Sequence, residues 1–351
     1  GYRTGHFGKW HLGTLTTEIA DGRRGGRENE HYSPPWEHGF DVCFSTEIAM
    51  PTWDPYRDQT RPTKYWTGPG EYATENLDGD DSRVIMDRAI PFMREAAAAD
   101  TPFLAVVWFH TPHEPVRGGP EYRAKYRHLS EDLQHYYGCI TAMDEQVGRL
   151  RAELERLGVA DHTMLWFCSD NGPAGEGGGC AQHAGGRQQG SPGPFRGRKG
   201  SLYEGGVRVP SLFVYPEGFQ APRTIDVPCC TSDYFPTIVG MLGFHLLVPP
   251  DPIDGEDLAR VLRGEAVERA RRIGFESQNQ ISLVDNRYKL YSSDRGETFE
   301  LYDLVDDPCE TQDVAERFPD VVRDMAAALS TWRASCRASR QQHDYCSDID
   351  G

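Results

Sequence analysis

Two histidines stand three residues apart in "HTPHEP" (110–115), "DNG" occupies 170–172, and Lys9 and His11 flank a tryptophan in "GKWHLG" (8–13). These residue types move protons and hold charged oxygen. Asp170 and Asn171 offer adjacent hard oxygen donors, suited to calcium or magnesium and not to a soft metal. An Asx turn that satisfies local backbone groups explains the same pair without a metal. His113 lies between Pro112 and Pro115, which stiffen the backbone and can fix the imidazole direction; an ordinary surface-loop histidine is the plainer reading. If "KWHL" is extended, Lys9 and His11 share one face and Trp10 takes the other. A cation beside an imidazole can grip an oxyanion and protonate a leaving group. Lys199 stands in "RGRKGSLYEGGVRVP", where Gly197, Gly200, Gly205 and Gly206 permit close backbone approach to a ligand. Around it, Arg187, Arg196, Arg198, Lys199 and Arg208 face a single acid, Glu204, between residues 183 and 210. That basic island is either a local anion site or a solvated loop.

The elements that must position these residues are legible in outline. "FLAVVWF" (103–109), "TMLWFCS" (163–169) and "PSLFVYP" (210–216) read as buried strands, apolar on both faces as in a parallel sheet. The first ends at His110 and His113 and the second at Asp170 and Asn171. Open α/β sheets bind ligands at the carboxyl ends of their strands. A helix is predicted from a Ser130 cap to a Gly158 stop, its buried stripe made of Leu133, Tyr137, Ile140, Val147, Leu150, Leu154 and Leu157. Another runs from Ser82 to about Ala98, capped by Asp81 or Ser82, and a third over 231–243 is interrupted by Pro236. Beyond a Pro-rich connector at 246–255, short antiparallel strands in "RIGFES", "ISLVDNRYKLYSS" and "ETFELYDL" precede a helix over about 314–335.

With 351 residues, 38% hydrophobic, the chain can bury a sizeable core as one large domain or a large one plus a small one. A net charge of −17 argues against nucleic acid or an anionic membrane as a partner of the whole surface. No apolar run is long enough to span a bilayer. Nine cysteines without a CxxC argue against a zinc site or a thioredoxin-like motif; buried thiols and one or two disulfides are expected.

"GYRTGHFGKWHLG" resembles the second signature of the type I sulfatases, in the alkaline-phosphatase-like superfamily. "PHEP", "SDNG" and "RKGSLYEGGVRVP" resemble further sulfatase motifs in the family's order, and "FELYDLVDDPCET" resembles the family's C-terminal lobe. The resemblance spans nearly the whole chain. It implies an α/β fold with an alkaline-phosphatase-like central sheet flanked by helices: a catalytic domain over 1–249 and a smaller α+β lobe over 250–351.

The resemblance also implies roles. Lys9 would contact the sulfate and His11 would assist the nucleophile. His113 and Lys199 would bind the ester, one of them protonating the departing alcohol. Asp170 and Asn171 would ligate calcium, in preference to magnesium. His110 and Arg208 would be neighbours of the site. The implied substrate is a carbohydrate or aryl sulfate ester, with no nucleic-acid partner, in a periplasmic or secreted protein. Sulfatases of this type use a formylglycine made from Cys or Ser in C/S-x-P-x-R, and none of the nine cysteines begins such a motif. The family's paired N-terminal aspartates have no counterpart either. The expectation is an N-terminally truncated sulfatase, inactive by itself, whose nucleophile lies upstream. A non-catalytic binder of sulfated glycans or other anions, and a superfamily phosphodiester or phosphonate hydrolase, are the alternatives. The irregular stretches 44–59 and 173–195 are candidate specificity elements, with Trp53 and Tyr56 available to stack on a ring.

Overall fold

A computed structural model describes residues 1–17, 31–56, 63–174, 189–219, 222–244, 253–341 and 343. The expected boundary near 250, the Pro-rich connector as far as residue 252, Arg187 and most of the 173–195 stretch lie outside the described residues. The chain divides into two compact units, Gly1–Met164 with Ala174–Gly190, and Leu165–Pro173 with Ser191–Gly351.

The first unit is built on β1 (Arg3–Lys9), which pairs in parallel with both β2 (Val42–Thr46) and β5 (Phe103–Trp108). The antiparallel β3 (Trp66–Gly68) and β4 (Glu71–Tyr72) complete the order β4-β3-β2-β1-β5. Helix α1 (Asp81–Ala98) starts where the Asp80 side chain accepts a hydrogen bond from Arg83 N at 3.0 Å, one residue earlier than the predicted caps. It lays Val84, Ile85, Met86, Ile90, Phe92 and Met93 against Phe7, Phe44 and Tyr65. Each large apolar side chain buried this way contributes about 1.5–3 kcal/mol. Helices α2 (Pro120–Ala124) and α3 (Glu131–Arg156) follow, the latter capped by Ser130 and ended near Gly158 at φ +73°, as predicted. Its predicted stripe is corrected: only Leu154 is fully buried, and the innermost face is His135, Gly138, Cys139, Ala142, Gln146 and Glu153. Small residues let a neighbouring backbone approach, so Gly138 packs on Tyr122 and Arg123 while the larger stripe residues stay partly exposed.

In the second unit, β6 (Leu165–Cys168) pairs with β7 (Ser211–Val214) antiparallel, Leu165 opposite Val214. The parallel, doubly buried reading of these two runs is therefore wrong. A continuous apolar run identifies a strand but carries no information about direction or partner. Between them lies α4 (Glu204–Val207). Helix α5 (Tyr234–Met241) is not interrupted by Pro236, which occupies its first turn, where no intrahelical N–H bond is lost. Past α6 (Ala259–Leu262), strands β8 (Ile273–Ser277), β9 (Gln280–Val284), β10 (Tyr288–Ser292) and β11 (Glu300–Asp303) form the expected antiparallel sheet. Ile281, Leu283, Leu290 and Leu301 pack on Met325 and Leu329 of α7 (Pro319–Arg340). That helix begins five residues later than predicted, because Pro319 is preorganised for a first helical position. The seven described cysteines are free thiols, so no expected disulfide is found among the described residues.

Candidate active site

Because β1 and β5 are parallel, with Gly8 opposite Trp108, their carboxyl ends emerge side by side. Lys9 closes β1 and leads to Trp10 and His11; Phe109, His110 and the His113 turn follow β5. Gly8 has φ +108°, and a Cβ there would collide with the Trp108 carbonyl oxygen. Only glycine allows this approach. Trp10 N donates to Thr46 O at 2.8 Å, and the Trp10 ring is buried against His6 and Trp108. His11 takes φ +52°, so the extended reading of "KWHL" does not hold and the two-residue alternation stops at Trp10. His113 N donates to His110 O at 2.7 Å, and its Nδ1 donates to Glu114 O at 2.8 Å. A carbonyl only accepts, so Nε2 is the nitrogen that exchanges a proton.

His110 is not at the surface of this region but beneath it. It is 1% exposed, with Nδ1 2.7 Å from Asp81 and Nε2 2.8 Å from Thr46 Oγ1. Tyr65 donates to the other oxygen of Asp81, and burial together with that carboxylate raises the phenol well above its ordinary range. His6, bonded to Ser45 at 2.7 Å, has its pKa lowered to about 3 by burial and by His110. Trp53 covers Gly119 and Tyr56 packs on the core of this unit, each remaining partly exposed.

In the second unit, Asp170 and Asn171 follow β6. Ser169 Oγ donates to Asn171 O at 3.0 Å, and Asn171 Nδ2 donates to Gly172 O at 2.9 Å. Gly172 N donates to Gly206 O at 2.9 Å, and Lys199 N to Pro173 O at 3.0 Å. A Cβ at Gly172 would strike Gly205 O, so the glycines here permit loop-on-loop packing. These bonds bring the Asp170–Asn171 turn beside the segment that carries Lys199. The Lys199 side chain is exposed and has no side-chain partner among the described residues. The rest of the basic island is partly occupied: Arg208 pairs with Glu204 at 3.5 Å and covers Phe195, and Arg196 bonds the Tyr302 hydroxyl.

Two residues that sequence reading did not single out hold this segment. Gln280 donates to Gly200 O at 2.8 Å and accepts from Leu202 N at 3.1 Å, bracketing the loop just beyond Lys199. Lys289, fully buried, lies 2.9 Å from both Glu204 and Glu310. A lysine inside the apolar strand "YKLY" was the available signal.

The Asp170 carboxylate is exposed and makes no hydrogen bond among the described residues, while Asn171 keeps Oδ1 unspent. Both are hard oxygen donors of the kind calcium and magnesium take, and two fall short of the six to eight that calcium prefers. Among the described residues, no group of three or more His, Cys, Asp or Glu converges in a metal-binding arrangement.

The Sulfatase family profile matches residues 1–244. An ulvan-active sulfatase of Formosa agariphila is 30% identical over 293 residues, covering 77% of this chain and 49% of that protein. The N-acetylgalactosamine-6-sulfatase of Rattus norvegicus is 28% identical over 283 residues, 77% of this chain and 48% of that one. Among solved structures, Ps i-CgsB superposes with a TM-score of 0.77 at 21% identity, over 100% of this chain and 78% of that chain. A second structure of that protein holds k-i-k-neocarrahexaose. The fold is thus that of the alkaline-phosphatase-like sulfatases, a mixed sheet with flanking helices and an antiparallel C-terminal sheet. The chain belongs to the sulfatase family. It spans about half the length of these two curated relatives.

Proposed function

We propose that this chain belongs to a hydrolase of sulfate esters, and that its substrate is a sulfated carbohydrate. The observation that carries this reading is the placement of the motif residues. Lys9, His11 and His113 leave the carboxyl ends of adjacent parallel strands, and Lys199 lies on a loop bonded to the Asp170–Asn171 turn. Lys9 and Lys199 bind sulfate oxygens and oppose the charge that builds on them. His113, with Nδ1 fixed, delivers a proton from Nε2 to the leaving alcohol. His11 assists the nucleophile. Asp170 and Asn171 hold part of a calcium site, magnesium being the second choice. The formylglycine of the family, where the protein carries one, would supply the attacking oxygen. Carbohydrate esters are preferred because relatives named for ulvan and N-acetylgalactosamine-6-sulfate match over 77% of this chain and a structural neighbour is bound to k-i-k-neocarrahexaose, whereas the steryl-sulfatase of Mus musculus, 37% identical, matches over 54%.

The test is sulfate release by the full-length protein from ulvan, carrageenan and N-acetylgalactosamine 6-sulfate oligosaccharides. His113→Ala and Lys199→Ala are each expected to lower kcat/KM by about 100-fold or more with the melting temperature unchanged. Stoichiometric binding of these glycans without turnover would replace this reading with that of a binder.

A further inference from the structure

Thr46 ends β2 and is wholly buried between the two motif segments of the first unit. Its carbonyl accepts from Trp10 N, and its hydroxyl oxygen lies 2.8 Å from both Ile48 O and His110 Nε2. A carbonyl can only accept, so the single hydroxyl hydrogen goes to Ile48 O. The hydroxyl lone pairs then face Nε2, which must donate. At the other side of the ring, Nδ1 lies 2.7 Å from an Asp81 oxygen, which accepts. His110 therefore carries a proton on both nitrogens.

Burial of the pair points the same way. The Asp81 and His110 side chains are both fully buried, and His110 is the ion-pair partner Asp81 has among the described residues. A buried carboxylate without a counter-charge is strongly unfavourable. Tyr65, whose ring centroid lies 6.1 Å from that of the imidazole, is held as a neutral phenol and so brings no counter-charge of its own. From the other side of the ring, the His110 carbonyl accepts His113 N.

We infer that Thr46, His110 and Asp81 form a positioning device, centred on a buried imidazolium, that fixes the Lys9–His11 segment relative to the His113 turn. The unbroken path runs Trp10 N, Thr46, His110, His113 N. His110 touches no substrate and acts through the residues it holds. Its bearing on catalysis rests on the sulfatase reading above; its protonation and its mechanical role do not.

Nitrogen-15 NMR of the histidine-labelled chain at about pH 7 is expected to show both His110 ring nitrogens protonated. An unprotonated ring nitrogen there overturns the inference. Thr46→Val removes the hydroxyl at nearly constant volume. It is expected to speed amide exchange at Trp10 and His113 about tenfold, the equivalent of one charge-assisted hydrogen bond, and Thr46→Ser is expected to restore protection. In the full-length protein the same pair should lower and then restore kcat with KM unchanged. Exchange at both amides indifferent to Thr46→Val, or a loss confined to KM, also overturns it. If no ester is hydrolysed at all, the sulfatase reading falls while the NMR and exchange arms still decide this one.

Discussion

Asp80 caps α1 with a carboxylate that burial raises from 3.8 to about 7, against the opposing bond from Arg83 N. The folded state then holds the proton more tightly than the unfolded chain does. Stability on this account is greatest below about pH 4 and declines as pH rises towards about 7. Asn caps a helix as well as Asp but does not titrate. Asp80→Asn is therefore expected to be more stable than the parent at about pH 8, with the advantage gone by about pH 4, in urea melts across that range. His6 works in the opposite sense. Its pKa, lowered from 6.5 to about 3, gives stability that is complete above about pH 6.5 and lost as pH falls towards 3. At this scale the sequence was a good guide to residue type and a poor one to surroundings. Asp170 and His113 follow β6 and β5 as read from the sequence, but nothing in "HTPHEP" says that His110 turns inward while His113 does not. That choice is made by Asp81 and Thr46, 29 and 64 residues away.

Elements with local signals were legible, and elements defined by their partners were not. The α3 helix could be read from its Ser130 cap and Gly158 stop, because both ends are set within a few residues. The strand β2, whose last three residues open the irregular 44–59 stretch, carries no local signal, since its short run shows its nature only between β1 and β3. Gly8 belongs to the second kind as well: its necessity comes from Trp108 across the sheet. Gly8→Ala would both strain a φ of +108° and push β1 away from β5. It is expected to cost about 3 kcal/mol or more in a denaturant melt. The α4 turn, in turn, depends on Lys289. Burial raises the Glu310 pKa while Lys289 opposes the rise, and Glu310 also accepts from Glu204 N at 2.6 Å. Lys289→Met leaves buried Glu310 without its cation and Glu204 with Arg208 at 3.5 Å in place of Lys289 at 2.9 Å. About 3–5 kcal/mol should be lost, and adding Glu310→Gln should recover part of it. Equal melts for Lys289→Met and the parent would show that the triad is not a stabilising link.

The whole molecule carries apolar surface that its described elements do not cover. On β5, Leu104 is 43% exposed, and the strand edge away from β1 pairs with no described strand. On β7, Leu212 is 65% exposed, and among the described residues β6 and β7 form a ribbon of two strands. A two-stranded ribbon is marginal in water, and this one leans on Trp166, stacked between Phe213 at 4.5 Å and Tyr234 at 4.6 Å. The same runs were read from sequence as doubly buried strands because their composition is that of buried strands. Composition states what a segment would bury, whereas the fold decides what is available to bury it. Uncovered apolar strand edges promote association between chains, and a lysine on the edge opposes it. Leu104→Lys combined with Leu212→Lys is expected to reduce concentration-dependent light scattering of the 351-residue chain. Its melting temperature should stay within a few degrees of the parent, since exposed substitutions change stability by about 0.5 kcal/mol. Unchanged scattering would mean that these strands are not what brings chains together; a large fall in melting temperature would mean that both leucines are packed in solution.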